Sequence, residues 1–229
     1  MADPKKGNNM AIQDLVNQIE SALPSIITKG LDTLILNEGM DPWNDVYSCE
    51  ESSHSSWMGC NFDYSAAVSV EKIEHLSSLY IKNLTQNGDI ADDGNGNYTV
   101  ALDTKIKLTA EHLNVTASAP VTTNTCGIKI NITPKDVMYI NDLIATGTMT
   151  CTINLASATL VAAKMSSIST SYDNIDHNIS GMGGLDWMAS SLAGLFTSFA
   201  KSWINSELDP MIQSELNKEL DSILPYKIV

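Results

Sequence analysis

Apolar residues recur at spacings of three and four near the start of the chain. Ile12, Leu15, Val16, Ile19, Leu23 and Ile26 form one stripe and predict an amphipathic helix over residues 10–29. Pro24 lies inside the stripe and is expected to kink or interrupt it. Gly30 is a candidate stop, although the apolar run Leu31 to Leu36 could continue the element. Residues 37–60 lose the period and are rich in Asp, Ser and Gly. They predict an ordered loop that opens on the turn Asp41-Pro42-Trp43.

From about 64 to 168 the period changes to two. Val100, Leu102, Ile106 and Leu108 occupy one face of a strand, with Asp103, Lys105 and Lys107 on the other. Leu113 and Val115 fall on odd positions, so the phase slips near Ala110 and predicts a bulge or bend. Asp92-Asp-Gly-Asn-Gly-Asn97 reads as a hairpin turn. The last third returns to helical spacing through Leu185, Met188, Leu192, Leu195, Phe196, Phe199 and Trp203. Leu208, Met211, Ile212, Leu216, Leu220 and Ile223 continue that stripe, with a break or kink expected at Asp209-Pro210. Helix, many strands, then a long helix is an α+β order in one unit. Residues 1–9 are polar and read as a leader, a vector-derived remnant or a mature terminus. Residues 10–229 read as the domain.

Composition narrows the function. The chain of 229 residues has thirteen Lys, no Arg and twenty-seven acids, a net charge of −14 that argues against nucleic-acid partners and anionic membranes. There is no apolar run of about 18 residues, so stable membrane insertion is not expected. His54, His75, His112 and His177 are scattered without metal-ligand spacing. The Asp89, Asp92, Asp93 cluster lacks the register of a calcium loop. No hydrolase, phosphate-loop or dinucleotide motif is present, and we expect no enzyme, metal or cofactor.

Four cysteines allow three pairings. Cys126 shares a strand face with Ile128, Ile130 and Ile132, and Cys151 shares one with Met149, Ile153 and Leu155. That pattern favours a buried Cys126–Cys151 link and leaves Cys49–Cys60 as a local staple; the other pairings would tie the N-terminal loop to the sheet. Glycosylation sequons stand at Asn83, Asn97, Asn114 and Asn178, and a fifth at Asn131 is disfavoured by Pro134. Sequons and an even cysteine number together predict a secreted, extracellular protein.

Three stretches carry a family resemblance. They are the first helix with Gly-Met-Asp-Pro-Trp at 39–43, the segment Ile73-Glu-His-Leu-Ser-Ser-Leu-Tyr-Ile81, and the tail from Leu195-Phe-Thr-Ser-Phe199 through Trp203-Ile-Asn-Ser-Glu-Leu208 to Leu216-Asn-Lys-Glu-Leu220. In this layout the chain resembles the takeout and juvenile-hormone-binding proteins and the mite group 7 allergens, within the tubular lipid-binding (BPI-like) superfamily. The resemblance implies a strongly curved antiparallel sheet wrapped around a long C-terminal helix, with an apolar tunnel for a lipid, terpenoid or carotenoid-like pigment. Leu15, Ile19, Met188, Leu192, Leu195, Phe196, Phe199 and Trp203 are the candidate lining. The second cysteine pair departs from the family's pattern. A host-defence or membrane-lipid-binding role is the first alternative, and the acidic charge speaks against it. The second is a structural or recognition protein with a filled core. Oligomeric state is open.

Overall fold

The computed structural model describes residues 4–57, 60–125, 128–184 and 186–228. At 4–9, 45–47, 49, 51–57, 60–66, 123–125, 128–130 and 186 it describes the backbone alone. The first helix, α1, runs without a break from Pro4 to Asn37, with Pro24 inside it. Its buried stripe is Ile12, Val16, Ile19, Leu23, Ile27, Leu31 and Ile35, so the seam passes through Ile27 where Ile26 was expected. Proline removes one backbone bond, whereas seven buried side chains hold the helix on both sides of it. Gly30 does not stop the helix. A Cβ there would run into the Glu219 carboxylate, so this glycine serves close approach.

Most of the stretch expected as a loop, 37–60, folds into a long strand, β1 (Trp43–Trp57), which is followed by β2 (Cys60–Glu74). They pair from Trp57↔Cys60 down to Trp43↔Ile73. Then follow a 3-10 turn (Leu76–Ser78), β3 (Leu79–Asp92), β4 (Asn97–Leu108), β5 (His112–Ser118), β6 (Val121–Thr125), β7 (Ile128–Ile132) and β8 (Lys135–Asn141). Next come β9 (Ile144–Asn154), β10 (Thr159–Ser171) and β11 (Ile175–Ser180), a second 3-10 turn (Asp186–Met188) and α2 (Ala189–Trp203). A π-helical turn (Ile204–Leu208), α3 (Asp209–Ile223) and β12 (Tyr226–Lys227) close the chain.

The strands form two antiparallel sheets. In the first, β1 and β5 flank β2; β6 also pairs with β2 further along, β7 pairs with β6, and β8 and β11 extend beyond β5. The second has the order β12-β10-β9-β4-β3. Four connections of a few residues carry the chain between the sheets: β2 to β3, β4 to β5, β8 to β9 and β10 to β11. Backbone bonds join these crossings, from Thr109 N to Ser78 O (2.8 Å) and from Asn141 N to Asn174 O (3.0 Å). The two sheets are therefore halves of one curled antiparallel sheet with a waist.

The phase slip near Ala110 is one of the crossings. Tyr98, Val100, Leu102 and Ile106 are buried on even positions before it, and Leu113, Val115 and Ala117 on odd positions after it. The segment Ile73–Ile81, which carries part of the resemblance, is another crossing, with His75 at φ 78° and the 3-10 turn inside it. Asp41 holds this point, because its carboxylate accepts the backbone N–H groups of His75 (2.9 Å) and Ser77 (2.8 Å).

The helices divide between the halves. Helix α1 packs on β3 and α3 packs on β10, and the two lie against each other over the second sheet. Helix α2 packs on β1 and β11 in the first. The expected break at Pro210 does not occur: the chain passes from α2 to α3 through the π turn, whose wider ring accommodates a proline just beyond it.

The cysteine expectations fail. Cys151 is a free, buried thiol on β9. Cys126 lies outside the described residues, but β6 and β7 on either side of it belong to the first sheet and β9 to the second. Facing inward on a strand does not place two cysteines on the same sheet. In the β1–β2 ladder Cys49 stands opposite Val68 and Cys60 opposite Trp57. Eight residues of strand separate them, roughly 26 Å, where a disulfide needs Cα atoms within about 7 Å.

Candidate functional site

The inner face of α2 follows directly from its sequence. Met188, Leu192, Leu195, Phe196, Phe199 and Trp203 step by three and four, and every one of them is at most 1% exposed. Gly194, Ser198, Lys201 and Ser202 fall between them and face outward. Gly183 and Gly184, at φ 57° and 87°, turn the chain into this segment. Two of the three phenylalanines and two of the four tryptophans of the chain fall within residues 187–203. Leu185, on the same expected stripe, lies outside the described residues.

The structure does not gather all eight predicted lining residues. Ile19 is buried and Leu15 half-buried on α1, which packs on β3 and α3 in the second half. The six others lie at α2 in the first half. All belong to one continuous apolar core, but a molecule seated along α2 would not meet the α1 pair at the same place. Grooves around the second half include one of about 530 Å³ beside Ile26, Leu34 and Glu219, and one of about 340 Å³ beside Ile12, Ile90 and Tyr98.

A polar group unseen in the sequence ties α2 to its sheet. Asp136 on β8 is fully buried. It accepts His177 Nδ1 at 2.5 Å and the backbone N–H of Asn178 at 2.9 Å. His177 Nε2 lies 2.9 Å from Thr197 Oγ1 on α2. With the ring proton on Nδ1, the threonine hydroxyl donates to Nε2. This connectivity matches that of a hydrolytic triad. Thr197, however, sits mid-helix, where backbone N–H groups bond to the preceding turn and cannot form an oxyanion hole. We read it as a structural tie. Asp136, His177 and Thr197 are 41 and 20 residues apart, and no local spacing announces them.

Among the described residues no three His, Cys, Asp or Glu side chains converge as a metal site, and no helix is long and apolar enough to cross a membrane. Burial pushes the Cys151 thiol up to about 12, which removes it as a nucleophile. Of the sequon asparagines, Asn83, Asn131 and Asn178 are exposed, whereas Asn97 and Asn114 are half-buried. Asn97 is also bound to Asp93 and Asn154.

No family model and no curated protein matches the chain. Among solved structures it is similar to Takeout 1 of Epiphyas postvittana, with 12% identity, a TM-score of 0.38, and 89% of this chain and 88% of that one covered. It is also similar to a lipopolysaccharide binding protein, again at 12% identity, with a TM-score of 0.33 and 95% and 38% of the chains covered. At such identities and TM-scores the likenesses say nothing about a ligand.

Proposed function

We propose that the protein is a secreted, non-enzymatic carrier that holds an apolar small molecule between α2 and the first sheet. A lipid, a terpenoid or a carotenoid-like pigment fits this chemistry. The observation that carries the reading is the inner face of α2: six large apolar side chains, three of them aromatic, all excluded from water by the curled sheet. Ligand sites are lined by these residue types and lie between layers of secondary structure. Met138, Met182 and Met188 are buried in or beside this half, and flexible thioethers repack around irregular ligands. A guest burying roughly 400 Å² of apolar surface gains about 10 kcal/mol before ordering costs. The exposed sequons at Asn83 and Asn178 support the extracellular part of the reading.

Complete burial of the same six residues favours a second reading, a structural or recognition protein with a permanently filled core. Organic extraction of protein from a eukaryotic secretion host, followed by mass spectrometry, separates the two. A stoichiometric lipid, terpenoid or pigment is expected. An empty extract, together with an unmoved Tm against a panel of such molecules, would sink the carrier reading.

A further inference from the structure

Among the described residues, two buried side-chain atoms lack a hydrogen-bond partner: Asn114 Oδ1 and Trp203 Nε1. They are not equivalent. Asn114 is half-buried and alternates with the inward-facing Leu113 and Val115, so a rotation of its amide brings it to water. Trp203 is fully buried, with Phe199 and Phe196 one and two turns before it on the same helix face. An indole N–H only donates, and a large ring fully buried in the apolar core has no route to solvent. A buried donor without an acceptor is a standing cost that native interiors rarely leave in place. Directly after Trp203 the helix widens into the π turn Ile204–Leu208, a distortion that concentrates at functional sites.

We propose that the Trp203 indole N–H is the polar anchor of the cargo, and that the cargo is an apolar molecule bearing a neutral oxygen acceptor: an ester, a ketone or a hydroxyl. This deepens the carrier reading and rests on it. Neutrality follows from the surroundings. A carboxylate brought to Trp203 would be stripped of water in the apolar core that holds Leu195, Phe196 and Phe199. The chain has no Arg, and Lys201, the cation of α2, is on its exposed face. One neutral acceptor satisfies the donor at no such cost.

The test uses the full chain and displacement of a neutral naphthylamine fluorophore by methyl palmitate, palmitic acid and hexadecane. The wild-type protein should bind methyl palmitate most tightly of the three. Trp203→Phe, which keeps a ring and removes the donor, should weaken methyl palmitate about five- to tenfold and leave hexadecane within about twofold. Equal losses for ester and hydrocarbon overturn the anchor and leave the carrier standing. No fluorophore uptake and no displacement would remove the carrier reading and the anchor together. Should Trp203→Phe fail to fold, the indole proton NMR signal of Trp203 in otherwise native protein decides, assigned through Trp43→Phe, Trp57→Phe and Trp187→Phe. A downfield move with methyl palmitate but not with hexadecane is expected, and a signal unmoved by the ester overturns the proposal.

Discussion

In the second half of the molecule two helices lie on one sheet and polar bonds stitch them down. Glu20 accepts the backbone N–H of Gln86, and Thr28 accepts that of Ile81. Asn217 accepts the N–H of Met165, and Gln213 donates to the Met165 and Ser166 carbonyls. Lys218 bridges to Glu38 at 2.9 Å and so joins α3 to the end of α1. The buried faces there are largely aliphatic. In the first half a single helix, α2, faces the sheet with Phe196, Phe199 and Trp203, and is tied by the buried Asp136 through His177 and Thr197. The stitched half resists separation of its layers, because each helix movement strands a backbone N–H or a carboxylate. The aromatic half can exchange one apolar contact for another. That difference is the reason for proposing the cargo beside α2.

The largest effect is expected where the first half depends on a buried hydrogen-bonded side chain. Asp136→Ala leaves His177 and the Asn178 N–H without their acceptor. It should cost about 3 kcal/mol in urea unfolding, against about 1 kcal/mol for Thr197→Val. Similar costs for the two variants would show that Asp136 does not organise this half.

In the second half, Gly30→Ala forces the Glu219 carboxylate aside and should cost about 1–2 kcal/mol. In a Glu219→Ala background the same change should gain about 0.8 kcal/mol, from helix propensity alone. A double-mutant cycle by thermal or urea unfolding reads the reversal, and additive effects would deny the α1–α3 contact its tightness.

Smaller effects follow from titration. Burial raises the Glu219 carboxyl above its ordinary value, against a weaker opposing bond from Ser222. A raised folded-state pKa means that stability is lost as pH climbs from the unfolded value of about 4.3 through the folded one. Glu219→Gln should flatten the unfolding free energy over that window and be neutral or stabilising at pH 7. Glu71 has the opposite sign. Its bond to Lys135 lowers the carboxyl, so its contribution disappears as pH falls through the folded value; the pair lies at the surface with Lys135 exposed, and the effect should be barely measurable.

The smallest expected effect is none. Cys151, buried on β9, should stay unreactive toward thiol reagents at pH 8 with or without cargo, and react only on unfolding. Labelling that accelerates with cargo would mean that the second half opens, and the contrast between the halves would fail.

The residues most legible in sequence are those whose partners are local. The α2 and α3 stripes survive in the structure from Met188 to Leu220, and the Asp93 turn closes as composition predicts, with its carboxylate accepting the N–H groups of Asn95 and Asn97. The β1–β2 hairpin was hidden because Ser, Glu and Asp crowd β1 and mask a period of two.

Periodicity determined which residues of this protein face inward, because a helix or strand fixes side-chain direction through backbone geometry alone. It determined the α+β order and the bend near Ala110 for the same reason. Which inward faces meet was decided only by the tertiary structure. The waist sends Cys151 to one sheet and the β6–β7 pair to the other, brings Glu219 onto Gly30, and sets His177 between Asp136 and Thr197. Those contacts join residues tens to nearly two hundred positions apart, and long-range packing chooses them without any local spacing to record the choice.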